Sequence, residues 1–140
     1  MRLNELITFK LNSDKVSNYM QVDKRYNSFV ELNKSKFYGI LLPLQNVDDF
    51  KSLLAEIKKE HPKAKHVVYA YRVGMASKSN DDQEPKGTAG RPLLELLHKK
   101  DLNNCVIFVA RYFGGTKLGA SRLLRTYLQA GIEAINAIGK

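Results

Sequence analysis

The chain has 140 residues, 44% of them hydrophobic and 26% charged, with nine Gly and four Pro; this balance suits one folded domain and excludes disordered and fibrous classes. Lys and Arg total 23 against 14 Asp and Glu, and the resulting formal charge of +9 favours polyanionic partners through long-range attraction and release of condensed counterions. No stretch approaches the roughly 18 apolar residues of a membrane span, and the opening MRLNELITFKLNSDK has no apolar core for an export signal, so a cytoplasmic location without membrane contact is expected.

Residues 1–25 show no clean periodicity and read as an extended or partly ordered lead-in to one domain over 26–140. From Tyr26, YNSFVEL, a polar turn at NKS and KFYGILLPL predict a β-hairpin. NVDDFKSLLAEIKKEHP places Val47, Phe50, Leu53, Leu54 and Ile57 at helical spacing. Asn46 is the N-cap, acids sit in the first turn, lysines in the last, and Pro62 ends the helix. HVVYAYRV is β-rich and separates Val67, Tyr69 and Tyr71 from His66, Val68, Ala70 and Arg72, without showing which set faces solvent. The polar segment from Gly74 to Gly90 reads as an exposed loop.

PLLELLHKK is a short helix with Pro92 in its first turn, where the missing N–H costs nothing. NNCVIFVARYF is a continuous apolar run, as in a central strand covered on both faces. The last helix begins near Lys117: Ala120, Leu123, Leu124, Tyr127, Leu128, Ile135 and Ile138 keep the helical period, while Arg122, Arg125 and Gln129 lie on another face. The order predicts an α+β fold, a mostly antiparallel four-stranded sheet with helices packed on one face and the other face partly open.

The lone Cys105 lies in an apolar run and reads as a small buried hydrophobe, and His61, His66 and His98 lack the spacing of a zinc site, so neither disulfide nor metal nor cofactor is expected. Two stretches carry chemistry. In NDDQEPKGTAGRP, Asp81, Asp82 and Glu84 have the groups for Mg²⁺ or acid–base work, but a polar Pro/Gly-rich loop favours solvated turn chemistry. In RYFGGTKLGASRLLRTY, Gly114, Gly115 and Gly119 allow backbone N–H groups to converge on an anion at a helix N-terminus, with Lys117 beside them. Gly114 and Gly119 have the Walker A spacing, but Ala120 stands where its lysine belongs, so a dedicated nucleotide site is weakly supported and a plain strand-to-helix turn is an equal reading. From Leu102 to Ile132 there is no acid, yet Arg111, Lys117, Arg122 and Arg125 all fall there. A further reading joins the two stretches: if the acidic loop folds over the basic turn, Asp82 or Glu84 pairs with Arg111 or Arg125, and those arginines are structural.

Taken together, NDDQEPKGTAGRPLLELL and VIFVARYFGGTKLGASRLLRTY resemble the paired signature of the IMPACT/YigZ family, and KSKFYGILLPL and AKHVVYAYRVG fall where that family has its basic hairpin and His-containing strand. The resemblance spans roughly residues 26 to 138 and implies a fold like the second domain of small-subunit ribosomal protein five. The family pattern carries onto Asp81, Asp82, Glu84, Pro85, Gly87, Thr88, Gly90, Arg111, Tyr112, Phe113, Gly114, Gly115, Lys117, Leu118, Gly119, Arg125 and Tyr127, and onto His66 and Arg72. Asn80 and Gln83 replace the usual Ser and Gly, and Ser121-Arg122 replaces a Gly-Gly pair. The ferredoxin-like second domain of bacterial members is not expected here.

The resemblance implies an RNA-binding module in translation control, on or near the ribosome, with no catalysis required. Arg111, Tyr112, Gly114, Gly115, Lys117, Gly119, Arg122 and Arg125 are its candidate nucleic-acid or phosphate contacts. The alternatives are a Mg²⁺-dependent enzyme or binder of a phosphorylated small molecule, and an interaction domain for a translation-factor protein.

Overall fold

The computed structural model describes residues 21–140; the expected lead-in over 1–25 therefore lies mostly outside the described residues. Strands β1 (Tyr26–Leu32) and β2 (Ser35–Pro43) form the predicted hairpin. Its loop residues Asn33 and Lys34 both have positive φ, 49° and 67°, which matches the right-handed twist of the flanking strands. A 3₁₀ turn, Val47–Asp49, leads into α1 (Phe50–Glu60), and Asn46 Oδ1 accepts from the Asp48 N–H at 2.9 Å, as its N-cap position predicts. There follow β3 (His66–Val73), β4 (Ala76–Asn80), α2 (Gly90–Lys99), β5 (Cys105–Tyr112) and α3 (Ala120–Asn136).

The strands make one antiparallel sheet in the order β1-β2-β5-β3-β4. The α+β class is as expected, but the sheet has five strands rather than four. The extra strand, β4, reads ASKSN and is almost wholly exposed: it is an edge strand paired to β3, with Asn80 against the start of α2, and it carries no alternation of apolar residues to find.

The helices do not share one face. Helices α2 and α3 cover one side, where Phe37, Leu41, Val68, Ile107, Val109, Leu93, Leu97 and Tyr127 pack together. Helix α1 covers the other, where Phe50 meets Tyr69, Tyr71 and Phe108 at centroid distances of 4.6, 4.9 and 6.0 Å. Helical periodicity reveals that α1 has one apolar stripe but not which side of the sheet receives it. Val47, read as part of that stripe, is exposed in the 3₁₀ turn. The central strand β5 is sealed on both faces, and burial pushes the Cys105 thiol up to about 12, so this cysteine is an inert core hydrophobe. No described helix is long and apolar enough to cross a membrane.

Alternation along the strands decides what can meet what. Ser35, Phe37, His66 and Arg111 project to the side of α3, while Lys36, Tyr38 and Tyr112 project to the side of α1.

Candidate functional site

The acidic loop between β4 and α2 is built by its own carboxylates. Asp81 accepts from the N–H groups of Gly87, Ala89 and Gly90 at 2.9, 3.1 and 2.8 Å, and so neutralises the N-terminus of α2 from a distance in sequence. Asp82 accepts from the Val67 N–H at 2.7 Å, which fastens the loop to β3. Thr88 Oγ1 donates to the Pro85 carbonyl at 2.5 Å. Asp82 and Gln83 turn the chain with φ of 44° and 68°, so Gln83 occupies left-handed backbone where the family pattern has Gly.

These bonds deliver Glu84 into the sheet, where it is 6% exposed. The reading of the loop as solvated turn chemistry fails at this residue, and the alternative in which the loop folds over the basic turn is the one observed. Glu84 Oε2 accepts from Arg111 Nη1 at 2.7 Å and from the Tyr127 hydroxyl, and His66 Nε2 lies 3.6 Å from Oε1. Arg111 Nη2 reaches Ser35 Oγ at 3.4 Å, and the same oxygen accepts from the Gly114 N–H at 3.2 Å. A buried carboxylate requires such company, because desolvation would otherwise discharge it. Burial raises the Tyr127 hydroxyl well above its ordinary value of 10.0, and the Glu84 carboxylate adds to the effect, so Tyr127 remains a donor.

His66 Nδ1 lies 2.6 Å from the Asp82 carbonyl oxygen. A carbonyl only accepts, so Nδ1 carries the proton and Nε2 is the ring nitrogen turned toward Glu84.

The glycine turn after β5 closes this assembly. A Cβ on Gly114 would stand 2.2 Å from the Lys34 carbonyl carbon and 2.4 Å from the Ser35 nitrogen, so the turn rests directly on the β1–β2 hairpin. Gly119, at φ 81°, starts α3 with no side-chain cap. Between loop and turn lies a cavity of about 450 Å³, lined by residues of both sequence motifs, among them His66, Glu84, Arg111, Lys117 and Gly119.

The other expected contacts are dispersed. Arg122 and Arg125 are exposed on α3; Arg122 Nε approaches the Leu118 carbonyl at 3.4 Å. Arg72 donates to the Leu102 carbonyl at 3.0 Å and is absent from the cavity's lining. Tyr112 lies on the opposite side of the sheet from Arg111, with its hydroxyl 2.6 Å from His61 Nδ1. Gly115 forms part of the turn with φ 95°. Among the described residues no three His, Cys, Asp or Glu side chains converge as a metal-binding group.

Around Tyr112, itself an expected contact, is a surface whose other members, Phe29, Tyr38, Lys34 and Lys36, the sequence reading did not single out. Phe29 and Tyr38 have centroids 5.0 Å apart and Tyr38 and Tyr112 5.6 Å, on the corner of the sheet that α1 leaves uncovered. Lys34, Lys36, Tyr38, Tyr112 and Phe113 line a shallow recess of about 430 Å³ there. Phe113, 44% exposed, also lines the cavity on the α3 side, with Lys65 Nζ 5.1 Å from its ring centroid. It is the ridge between the two faces. The available signal was the clustering of Lys34 and Lys36 with aromatic residues in NKSKFY.

Residues 33–135 match the model of the Impact N-terminal domain. The chain belongs to that family. It is 39% identical to the IMPACT family member YvyE of Bacillus subtilis, over 86% of this chain and 57% of that protein. It is 34% identical to the IMPACT family member YigZ of Escherichia coli, over 69% of this chain and 50% of that one. A solved structure described as that of a hypothetical protein superposes with a TM-score of 0.82 at 28% identity, covering 86% of this chain and 61% of the other. The chain thus spans between about half and three fifths of the length of these relatives.

Proposed function

We propose that this chain is an RNA-contacting module that acts in the control of translation, and that it binds single-stranded RNA across the uncovered sheet corner. The observation that carries the reading is the row of partly exposed aromatic rings, Phe29, Tyr38, Tyr112 and Phe113, set beside Lys34, Lys36 and Lys65. Aromatic faces stack on bases whatever their sequence, at about 1–3 kcal/mol per base, and nearby lysines follow the phosphates. Glu31 faces Lys36 across the hairpin, so the electrostatic contribution of that lysine is partly offset. Arg122 and Arg125, exposed on α3, add to the attraction. Arg111 does not contact RNA in this reading, because its guanidinium is committed to Glu84. The family resemblance supports translation as the setting.

Fluorescence anisotropy with a 3′-labelled single-stranded RNA tests the interface. Phe113→Ala is expected to weaken binding roughly 5- to 150-fold, the equivalent of one lost stack. A Lys34→Ala/Lys36→Ala variant is expected to flatten the plot of log affinity against log salt by about 1.4, two single-strand phosphate contacts. No binding at low salt, or binding indifferent to all three changes, refutes the proposal; a partner protein captured after nuclease treatment would then favour the protein-interaction reading.

A further inference from the structure

We propose that the valley between α2 and α3 is a docking groove for an acidic amphipathic helix of a partner protein, on the opposite side of the sheet from Tyr38 and Tyr112. On α3, Leu124, Leu128 and Ile132 recur every fourth residue and so form one stripe, about 12 Å long at the rise of a helix. Pro92 and Leu96 of α2, both buried, complete an apolar floor. Leu124 is 37% exposed and Leu128 and Ile132 are half-buried, so α2 leaves this stripe partly uncovered. Beneath it the two helices touch: a Cβ on Gly131 would stand 2.7 Å from Leu93 Cδ2 and 2.9 Å from Leu96 Cδ2. The valley is therefore closed below and open to solvent above, with a volume of about 580 Å³.

Charge identifies the occupant. Arg91, Lys99 and Lys100 edge the groove against one acid, Glu95. Glu95 is taken up by Arg91, whose Nε lies 3.4 Å away, whereas Lys99 and Lys100 make no ion pair among the described residues. On α3, Arg125 is exposed, and Glu133 accepts from Gln129 at 2.7 Å. An apolar floor with a cationic rim is complementary to a segment whose apolar face is flanked by carboxylates. That segment is a helix, because the walls of the groove are helix side chains and offer no strand edge. An extended peptide would lay unpaired N–H and C=O groups on the apolar floor, whereas a helix satisfies its own. A second copy of the chain is disfavoured, since each copy carries a formal charge of +9. Nor do residues 1–20 have the acidic flank, for Arg2, Lys10 and Lys15 there outnumber Glu5 and Asp14.

Calorimetric titration of the full chain with three synthetic peptides tests the groove. The first is a helix-favouring peptide of about four turns with Leu at i, i+4, i+7 and i+11 and Glu on both flanks. The second is its twin with Lys for every Glu, and the third is a scrambled acidic peptide of the same composition without a stripe. Saturable one-to-one binding of the first is expected, roughly tenfold tighter than that of the basic twin, with a margin that shrinks as salt is raised. Leu124→Gln, at a position exposed enough for the fold to tolerate it, is expected to weaken that binding roughly tenfold, because apolar cover is lost and an amide must leave water. Lys99→Glu/Lys100→Glu, both exposed, is expected to reverse the preference toward the basic twin. Absence of saturable binding, equal binding of the basic or scrambled peptide, or indifference to Leu124→Gln overturns the proposal. So does a dimer in sedimentation equilibrium that Leu124→Gln dissociates, which would give the groove to a second copy. Phe113→Ala, which tests the RNA interface, is expected to leave the peptide isotherm unchanged, so the two readings fail separately.

Discussion

Substituting Glu84→Gln and Arg111→Met, singly and together, isolates the ion pair that joins the two sequence motifs. The charged groups are 2.7 Å apart with side chains 3% and 5% exposed, so each is the other's principal compensation for leaving water. Arg111→Met strands the Glu84 carboxylate with only Tyr127 and His66, and Glu84→Gln strands a guanidinium while keeping an acceptor for Tyr127. Breaking a buried pair from one side costs about 3–5 kcal/mol, whereas removing both charges with similar volumes retained is often close to neutral. Each single variant is therefore expected to lose about 3–5 kcal/mol, a fall in Tm of roughly 10–20 °C for a chain of this length. The double variant is expected to recover most of that loss. Urea denaturation followed by circular dichroism at constant pH gives the three free energies and the coupling between them. Single losses below about 1 kcal/mol that sum to the double loss would show that the pair does not hold the loop, and a stable Arg111→Met would return that arginine to the list of direct ligand contacts.

At Gln83, φ of 68° costs a side-chain-bearing residue about 1–2 kcal/mol, partly offset by the extra unfolded-state freedom of Gly, so Gln83→Gly should raise the urea midpoint by the equivalent of about 0.5–1 kcal/mol with m unchanged; a lower midpoint refutes the strain. His61 titrates below its ordinary 6.5 because burial disfavours the cation more than the neighbouring Glu60 favours it. Its neutral ring contributes stability that is present above 6.5 and is lost as pH falls through the folded-state value, since the unfolded chain takes up the proton first. An NMR titration should place the His61 midpoint below 6.5, and a midpoint at or above it contradicts the packing against Tyr38 and Tyr112.

The elements that a residue's own neighbours determine were readable in advance: the sealed strand β5 from its unbroken apolar run, α3 from its period, and the hairpin from its turn. The Glu84–Arg111 pair was legible as one alternative, because an arginine at the end of a buried strand needs a counter-charge and the nearest acid-rich loop supplies one. Its company was not. Ser35 and Tyr127 join the cluster only because the sheet order sets β2 beside β5 and lays α3 across both, and no local pattern encodes that order. Strand β4 escaped for the opposite reason: an edge exposed on its sides owes its form to its neighbour's backbone. The lysines of the hairpin were visible as charge, but their alignment with Tyr112 and Phe113 depends on antiparallel register, Lys36 opposite Tyr112.

The Glu84 cluster also bears on the order in which the chain acquires its structure. Its members come from positions 35, 66, 84, 111 and 127, so the carboxylate is enclosed before its last donor arrives unless α3 is already docked. During vectorial synthesis the hairpin, α1 and even β5 can be complete while Glu84 still lacks the Tyr127 hydroxyl, and an acid in that state favours water over the interior. Closure of the loop is thereby expected to await the docking of α3. The sheet can assemble early, but the cavity acquires its shape only when the helix carrying Tyr127 comes to rest on it.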